Sequence, residues 1–262
     1  MNQVAIITGG TSGIGLATVR LLREKGWKVY EFSRRAAEDE DHRCVDVTDD
    51  RAVLDAVEAV FEREGRIDLL INNAGFGISG AMEFTDPADA RRLMEVNLFG
   101  MNSMIRAVLP HMRRAGSGRI VNISSVAGVF AIPFQAWYSI SKAAVRSLTM
   151  ALANEVAPYG VQVTAVMPGD IRTGFTAARR KSTEGDGEYQ GRITRSVARM
   201  EKDELGGMAP EAAARTIVGV AVKKGSVKPF YTIGFSYKCL VFLDRLLPCG
   251  LTRKLLFLLY AK

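Results

Sequence analysis

Val4-Ala5-Ile6-Ile7-Thr8-Gly9-Gly10-Thr11-Ser12-Gly13-Ile14-Gly15 is the stretch from which the rest of the chain is read. Val4 to Thr8 is a short apolar, β-branched run, the signature of a buried strand. Four glycines then fall within seven residues, and an apolar-periodic run begins at Ile14. Strand, glycine turn and helix in that order form a phosphate cradle. Glycine permits positive φ and close backbone approach, and a helix N-terminus presents free N–H groups to a pyrophosphate. The spacing is GxxxGxG rather than GxGxxG. A glycine turn alone is weak evidence; its place between a strand and a helix strengthens it.

Outward from this turn, short β-branched runs alternate with longer helical ones. Candidate strands are 4–8, 28–32, 43–45, 68–72, 119–123, 161–166 and 230–233. Candidate helices are 14–25, 50–64, 88–115, 136–157 and 210–222. Such alternation implies right-handed βαβ units. The expected fold class is α/β, a single-domain doubly wound parallel sheet with helices on both faces. Gly26 reads as a helix-ending glycine and Pro87 as a helix start. The weakest periodicity lies between Thr173 and Ala209, a polar, glycine-containing excursion where a lid could grow.

The chain has 262 residues, of which 48% are hydrophobic and 24% charged, a globular profile. Its three cysteines, Cys44, Cys239 and Cys249, are scattered and form no CxxC, so neither a disulfide framework nor a zinc site is expected. No signal peptide and no stretch of about 20 apolar residues is visible, so a cytoplasmic protein is expected. The net charge is +7. From Lys223 to Lys262 there are eight basic residues against Asp244 alone, so the whole excess lies in the last forty residues.

Five further motifs follow the glycine turn in order: Asn72-Asn73-Ala74-Gly75, Asn97 within MEVNLFG, Asn122-Ile123-Ser124-Ser125, Tyr138-Ser139-Ile140-Ser141-Lys142, and Pro168-Gly169-Asp170-Ile171-Arg172-Thr173. Together with TGGTSGIG, the set resembles the short-chain dehydrogenase/reductase family over residues 4–173. The resemblance implies a Rossmann-like domain over 1–234, with 173–209 as a substrate lid and 235–262 as a basic amphipathic extension. It implies an oxidoreductase that uses a nicotinamide cofactor. It assigns Gly9, Thr11, Ser12, Gly13, Ile14 and Gly15 to the phosphates, and Asp46-Val47 to the adenine. Asn73, Ala74 and Gly75 would line the ribose side, and Pro168, Gly169, Ile171 and Thr173 the nicotinamide. Asp46 also reads as a cap for the helix near Thr48-Asp49-Asp50.

Cofactor choice turns on the end of the second strand. Members of the family that use NAD usually carry an acidic residue there. Here the position is Ser33, followed by Arg34-Arg35. A guanidinium can bind a 2′-phosphate bidentately, whereas a carboxylate repels it, so NADP(H) is expected. Glu31 lies two residues upstream, on the same strand face as Ser33, which leaves an NAD role open. The plainer reading of Arg34-Arg35 is a solvated basic turn.

Hydride transfer to or from a carbinol needs a group that moves the hydroxyl proton. The only histidines, His42 and His111, read as surface or helix-end residues, and no metal is expected. Tyr138 and Lys142, four residues apart, share a helix face. A nearby ammonium lowers a phenol's pKa. In the family such a lysine also holds the nicotinamide ribose. Ser125, at the family's spacing before Tyr138, would orient the substrate oxygen, with Ser124 as its neighbour and competitor. Asn97 would hold a water beside Lys142. Singly these residues have plain readings, as a turn serine, a core amide or a chance pair. Jointly they specify a catalytic set of Asn97, Ser125, Tyr138 and Lys142.

For the substrate, Val126, Phe130, Pro133, Phe134 and Trp137, with Phe76 and Phe175, suggest an apolar wall, and core packing is an equal reading. The segment Tyr237–Tyr260 is apolar at helical spacing and studded with Arg and Lys, with Pro248 and Gly250 breaking it into two helices. It could pack on the domain or a partner subunit, border the substrate entrance, or lie on an anionic membrane. The expected reaction interconverts a secondary alcohol and a ketone or aldehyde of a lipophilic molecule, such as a steroid or retinoid. The alternatives are a 3-oxoacyl carrier-protein reductase-like enzyme and a non-catalytic NADP(H)-sensing protein. By resemblance, a homodimer or homotetramer through the helices near 88–115 and 136–157 is expected, and no nucleic acid partner.

Overall fold

The computed structural model describes residues 2–36 and 38–262. In chain order, β1 (Val4–Thr8), α1 (Gly13–Glu24), β2 (Lys28–Ser33), β3 (His42–Cys44), α2 (Asp50–Glu64) and β4 (Leu69–Asn72) form the first half. After a two-residue strand, β5 (Ile78–Ser79), come α3 (Pro87–Met94), α4 (Gly100–Ala115), β6 (Gly118–Ile123), α5 (Ala136–Val156) and β7 (Val161–Met167). Then follow α6 (Phe175–Ala178), β8 (Arg180–Lys181), α7 (Arg192–Leu205), α8 (Pro210–Ala221), β9 (Phe230–Thr232), α9 (Phe235–Asp244) and α10 (Cys249–Tyr260).

Seven strands form one parallel sheet in the order β3-β2-β1-β4-β6-β7-β9. All seven coincide with expected runs to within a residue or two. The order reverses between β1 and β4, where an open α/β sheet places its ligand crevice. Alternation along β1 feeds two cores. Val4 and Ile6 pack under α2, α4 and α5, while Ala5 and Ile7 pack under α1 and α8.

The local signals explain the boundaries. Asp49 caps α2 by accepting from the Ala52 amide at 3.0 Å. Asp46 is therefore not the helix cap; its Oδ1 accepts from the Thr48 amide and hydroxyl in the preceding turn. Pro87 opens α3, with Asp86 capping it. Gly26 follows α1 at φ +81.

Three elements depart from expectation. The helix read as 88–115 is divided by a π-helical turn, Glu95–Phe99, which directs Asn97 into the core. The polar excursion 173–209 contains α7, whose Ile193, Ser196, Val197 and Met200 are buried at helical spacing. Arg, Lys, Glu and Asp at its other positions masked that pattern. In the tail, Pro248 precedes α10, but Gly250 lies inside its first turn and does not break it. Among the described residues no helix is long and apolar enough to cross a membrane. All three cysteines are free and exposed.

Candidate active site

The glycine turn connects β1 to α1 at the sheet's switch point. Gly9 and Gly13 have φ +67 and +54, in the left-handed region that favours glycine. Gly15 answers to space: a Cβ there would lie 2.2 Å from the Gly9 carbonyl oxygen. Thr8, at the end of β1, accepts from the amides of Asn73 and Ala74 at 3.0 Å each. Asn73 Nδ2 donates to the carbonyls of Thr8 and Gly9 at 3.1 and 3.0 Å. The ends of β1 and β4 are thereby laced together, and the α1 N-terminus faces the gap beside them. Thr173 closes on the same turn, with its Cβ 3.4 Å from where a Gly13 side chain would begin. Ile171 beyond β7 is buried, and Gly169 lies against the Tyr237 ring with no room for a side chain. These cradles fit a dinucleotide pyrophosphate at the turn.

At the adenosine end, Glu31 is buried rather than directed at solvent. Its Oε1 accepts from the Gly10 amide at 2.6 Å, and its Oε2 lies 2.6 Å from His42 Nδ1. Ser33 Oγ donates to Oε2 at 3.2 Å. The reading of the histidines as surface residues is thus corrected. The His42 side chain is only 6% exposed and pairs across the β2–β3 register with Glu31. His111 is only 2% exposed and sits between Glu58 and Arg114. A cavity of about 350 Å³ adjoins Glu31, bounded by Gly10, Thr11, Leu16, Val19 and Arg35. Arg35, not Arg34, reaches its wall; both arginines are exposed. Burial opposes ionisation of Asp46, but hydrogen bonds from Thr48 and Arg92 hold its carboxyl below the usual range. Val47 is buried against Gly100.

The other end of the crevice gathers Asn97, Ser125, Tyr138 and Lys142. Tyr138 stands in the first turn of α5, and Lys142 Nζ lies 5.7 Å from its ring centre. Lys142 is buried and donates to the Ile123 carbonyl at 3.0 Å. Burial lowers its ammonium to about 8. Burial also pushes the Tyr138 phenol up to about 12, a shift that the hydrogen bond with Ser125 opposes. Ser124 faces away and donates to the Lys142 carbonyl at 2.8 Å. Ser125 Oγ accepts from the Ala127 amide at 3.1 Å. Asn97 is fully buried. Its Oδ1 accepts from the Phe76 amide, and its Nδ2 donates to the Phe76 carbonyl and Ser141 Oγ, all at 3.0–3.1 Å. Its side-chain amide fastens the Asn73–Phe76 loop to α5. A Cβ on Gly75 would meet Asn97 Oδ1 at 3.0 Å and Lys142 Nζ at 3.6 Å, so the glycine lets the two converge.

Sequence reasoning missed Thr8, Ser141 and, within the excursion, Arg179 and Glu204, whereas Phe175 was expected at the wall. Thr8 acts through the backbone amides of Asn73 and Ala74, and Ser141 through Asn97 Nδ2 and the Tyr138 carbonyl, partners that no motif spacing displays. Phe175 of α6 lies against Tyr138, ring centres 5.7 Å apart. Behind it, Arg179 has no exposed side-chain surface and pairs with Glu204 of α7, which also accepts from Thr176 Oγ at 2.7 Å. Of the expected wall residues, Phe134 adopts φ +57 and packs edge-on against Tyr189. Val126 is buried beside Ser125, and Arg172 is exposed.

The family model for short chain dehydrogenases matches residues 3–184. The chain belongs to the short-chain dehydrogenase/reductase family. Like its family, it is an oxidoreductase. A 3-ketodihydrosphingosine reductase from Bacteroides thetaiotaomicron is 42% identical over 235 residues, covering 88% of this chain and 87% of that protein. A short-chain dehydrogenase from Streptomyces avermitilis superposes with a TM-score of 0.82 at 31% identity, over 94% of this chain and 93% of that one. One from Burkholderia cenocepacia, in complex with NADP, gives a TM-score of 0.75 at 27% identity over 100% of both chains.

Proposed function

We propose that this chain is an NADP(H)-dependent reductase of a lipophilic ketone, a reaction it also runs in reverse, from the secondary alcohol. The observation that carries this reading is the convergence of Ser125, Tyr138 and Lys142 beside the glycine turn. Bound NADPH would supply the hydride. The chain's task is the proton. With its phenol held up to about 12, Tyr138 is protonated at neutral pH and suited to give a proton to the carbonyl oxygen. Ser125 aligns that oxygen. The Lys142 ammonium stabilises the phenolate that remains and would hold the nicotinamide ribose. Asn97 is a positioning residue, fixing the Gly75–Phe76 backbone against α5.

Three considerations support NADP(H) over NAD(H). Arg34 and Arg35 project from the end of β2. Glu31, the carboxylate able to repel a 2′-phosphate, is drawn back onto Gly10 and His42. The Burkholderia neighbour carries NADP. For the substrate, the Bacteroides relative is named for reducing 3-ketodihydrosphingosine, a long-chain ketone, and that class suits the Phe175 ring beside Tyr138. Association through α4 and α5 would cover Phe99, Ile140 and Met150, which their outer faces and the preceding turn expose.

The test is the loss of NADPH absorbance with a panel of long-chain and compact ketones, against NADH as control. Turnover confined to long-chain ketones supports the proposal. Tight NADPH binding with no turnover on any ketone overturns it in favour of a cofactor-sensing protein.

A further inference from the structure

The tail beyond β9 is unlike the rest of the surface. Of 17 large hydrophobic side chains exposed on the described residues, ten lie within α9, α10 and the turn between them. Phe235, Phe242 and Leu246 are 84%, 61% and 66% exposed. Along α10, Thr252, Leu256 and Tyr260 form the half-buried stripe, while Leu251, Leu255 and Leu258 stand on the outer side. An apolar face of this extent on a folded chain marks an interaction surface.

Charge identifies the occupant. The two helices and their flanks carry Lys238, Arg245, Arg253, Lys254 and Lys262 against Asp244 alone. A symmetric dimer through this face would set like charges opposite one another. An anionic lipid surface meets both properties at once, with leucines below the head groups and lysines and arginines among them. At twelve residues α10 is about 18 Å long, short of the roughly 30 Å hydrocarbon layer, so it lies in the surface instead of crossing it.

The tail is also wired to the crevice. Tyr237 of α9 donates to Asp170, inside the segment that follows β7. Arg192, at the start of α7, donates to the Ala261 carbonyl at 2.6 Å and stacks over Phe257 at 5.5 Å. The same α7 carries Glu204, the partner of Arg179 behind Phe175. Whatever holds α9 and α10 therefore holds the cover over Tyr138.

We propose that α9 and α10 dock this chain in plane on an anionic lipid bilayer, with the α6–α7 cover turned toward that surface. On the catalytic reading above, a lipophilic ketone would then reach Tyr138 from the bilayer. The docking itself does not depend on turnover and is measured without it.

The experiment is flotation of the full chain with vesicles of equimolar phosphatidylcholine and phosphatidylglycerol, against pure phosphatidylcholine. Binding to the mixed vesicles and little to the neutral ones is expected. Each cation near an anionic surface contributes on the order of a fivefold change in affinity, so Arg253→Gln with Lys254→Gln should weaken binding about 25-fold. Phe242→Ser with Leu246→Ser should abolish flotation. These side chains are exposed, so folding is untouched, and NADPH binding by both variants should match the parent. No flotation with mixed vesicles overturns the proposal, as does flotation that neither variant alters. A dimer abolished by Phe242→Ser with Leu246→Ser, in a chain that ignores vesicles, assigns the face to a second copy and also overturns it. None of these failures touches the ketone assay.

Discussion

The two ends of the cofactor crevice are built on different principles. Beneath Tyr138, buried polar groups are held by backbone from other elements: Lys142 by the Ile123 carbonyl, Asn97 by both main-chain groups of Phe76, Ser124 by the Lys142 carbonyl. At the adenosine end Glu31 has one backbone partner, the Gly10 amide, but its other oxygen is held by the His42 side chain, whose Nε2 is buried without a partner among the described residues. Backbone partners are dictated by topology and survive most substitutions. A side-chain pair can be retuned by one substitution. On the proposed function, the proton-moving end would be a fixed device and the adenosine end the place where cofactor preference is set.

The comparison breaks first at Tyr138. Tyr138→Phe keeps the ring against Phe175 but removes the proton. Turnover should fall about a thousandfold, within the usual span for a lost general acid. The NADPH dissociation constant, measured by fluorescence titration, should stay within about twofold. Substantial residual turnover would remove Tyr138 from its role.

Next come the arginines. Arg34→Asp places a carboxylate where a 2′-phosphate is expected, and should shift the NADPH-to-NADH preference in kcat/KM by about 30-fold. Arg35→Asp, on the cavity wall, should shift it in the same direction. The larger of the two effects names the principal phosphate ligand. No shift in either variant would return both residues to a solvated turn.

A smaller effect follows from pH. Burial lowers Lys142 to about 8, so its ammonium is present below that pH and lost above it. Tyr138, held up to about 12, keeps its proton throughout that interval. Ketone reduction should therefore decline as pH rises through about 8, approaching tenfold per pH unit above it. A flat profile from about pH 7 to about pH 10 would mean that the Lys142 charge does not assist the step.

How much of this was legible in the sequence follows the same division. Parallel strands buried on both faces read as continuous apolar runs, whereas β3, only His42-Arg43-Cys44 at the sheet edge, has no such run and is placed by the alternation around it. The glycine turn and the four-residue spacing of Tyr138 and Lys142 are local, and local chemistry shows in sequence. The π-helical turn at Asn97 has no composition of its own, and α7 hid its four buried positions among charges. Glu31 was visible as a complication, but its partner was not. His42 is eleven residues away and meets it only through the β2–β3 register.

That register yields the subtlest prediction. In His42→Ala, Glu31 keeps the Gly10 amide and Ser33 hydroxyl but loses the imidazole. A carboxylate only 6% exposed and short of one partner costs about 1–3 kcal/mol, visible as a lower denaturant midpoint. The freed oxygen has the adjoining cavity to turn into, toward the phosphate expected there. NADPH affinity should therefore drop about fivefold while NADH affinity holds, since only the former carries the extra anion. Glu31→Gln on the same background should restore NADPH binding by removing the charge. An equal loss for both cofactors would make the pair a scaffold only, and would place cofactor choice with the arginines alone.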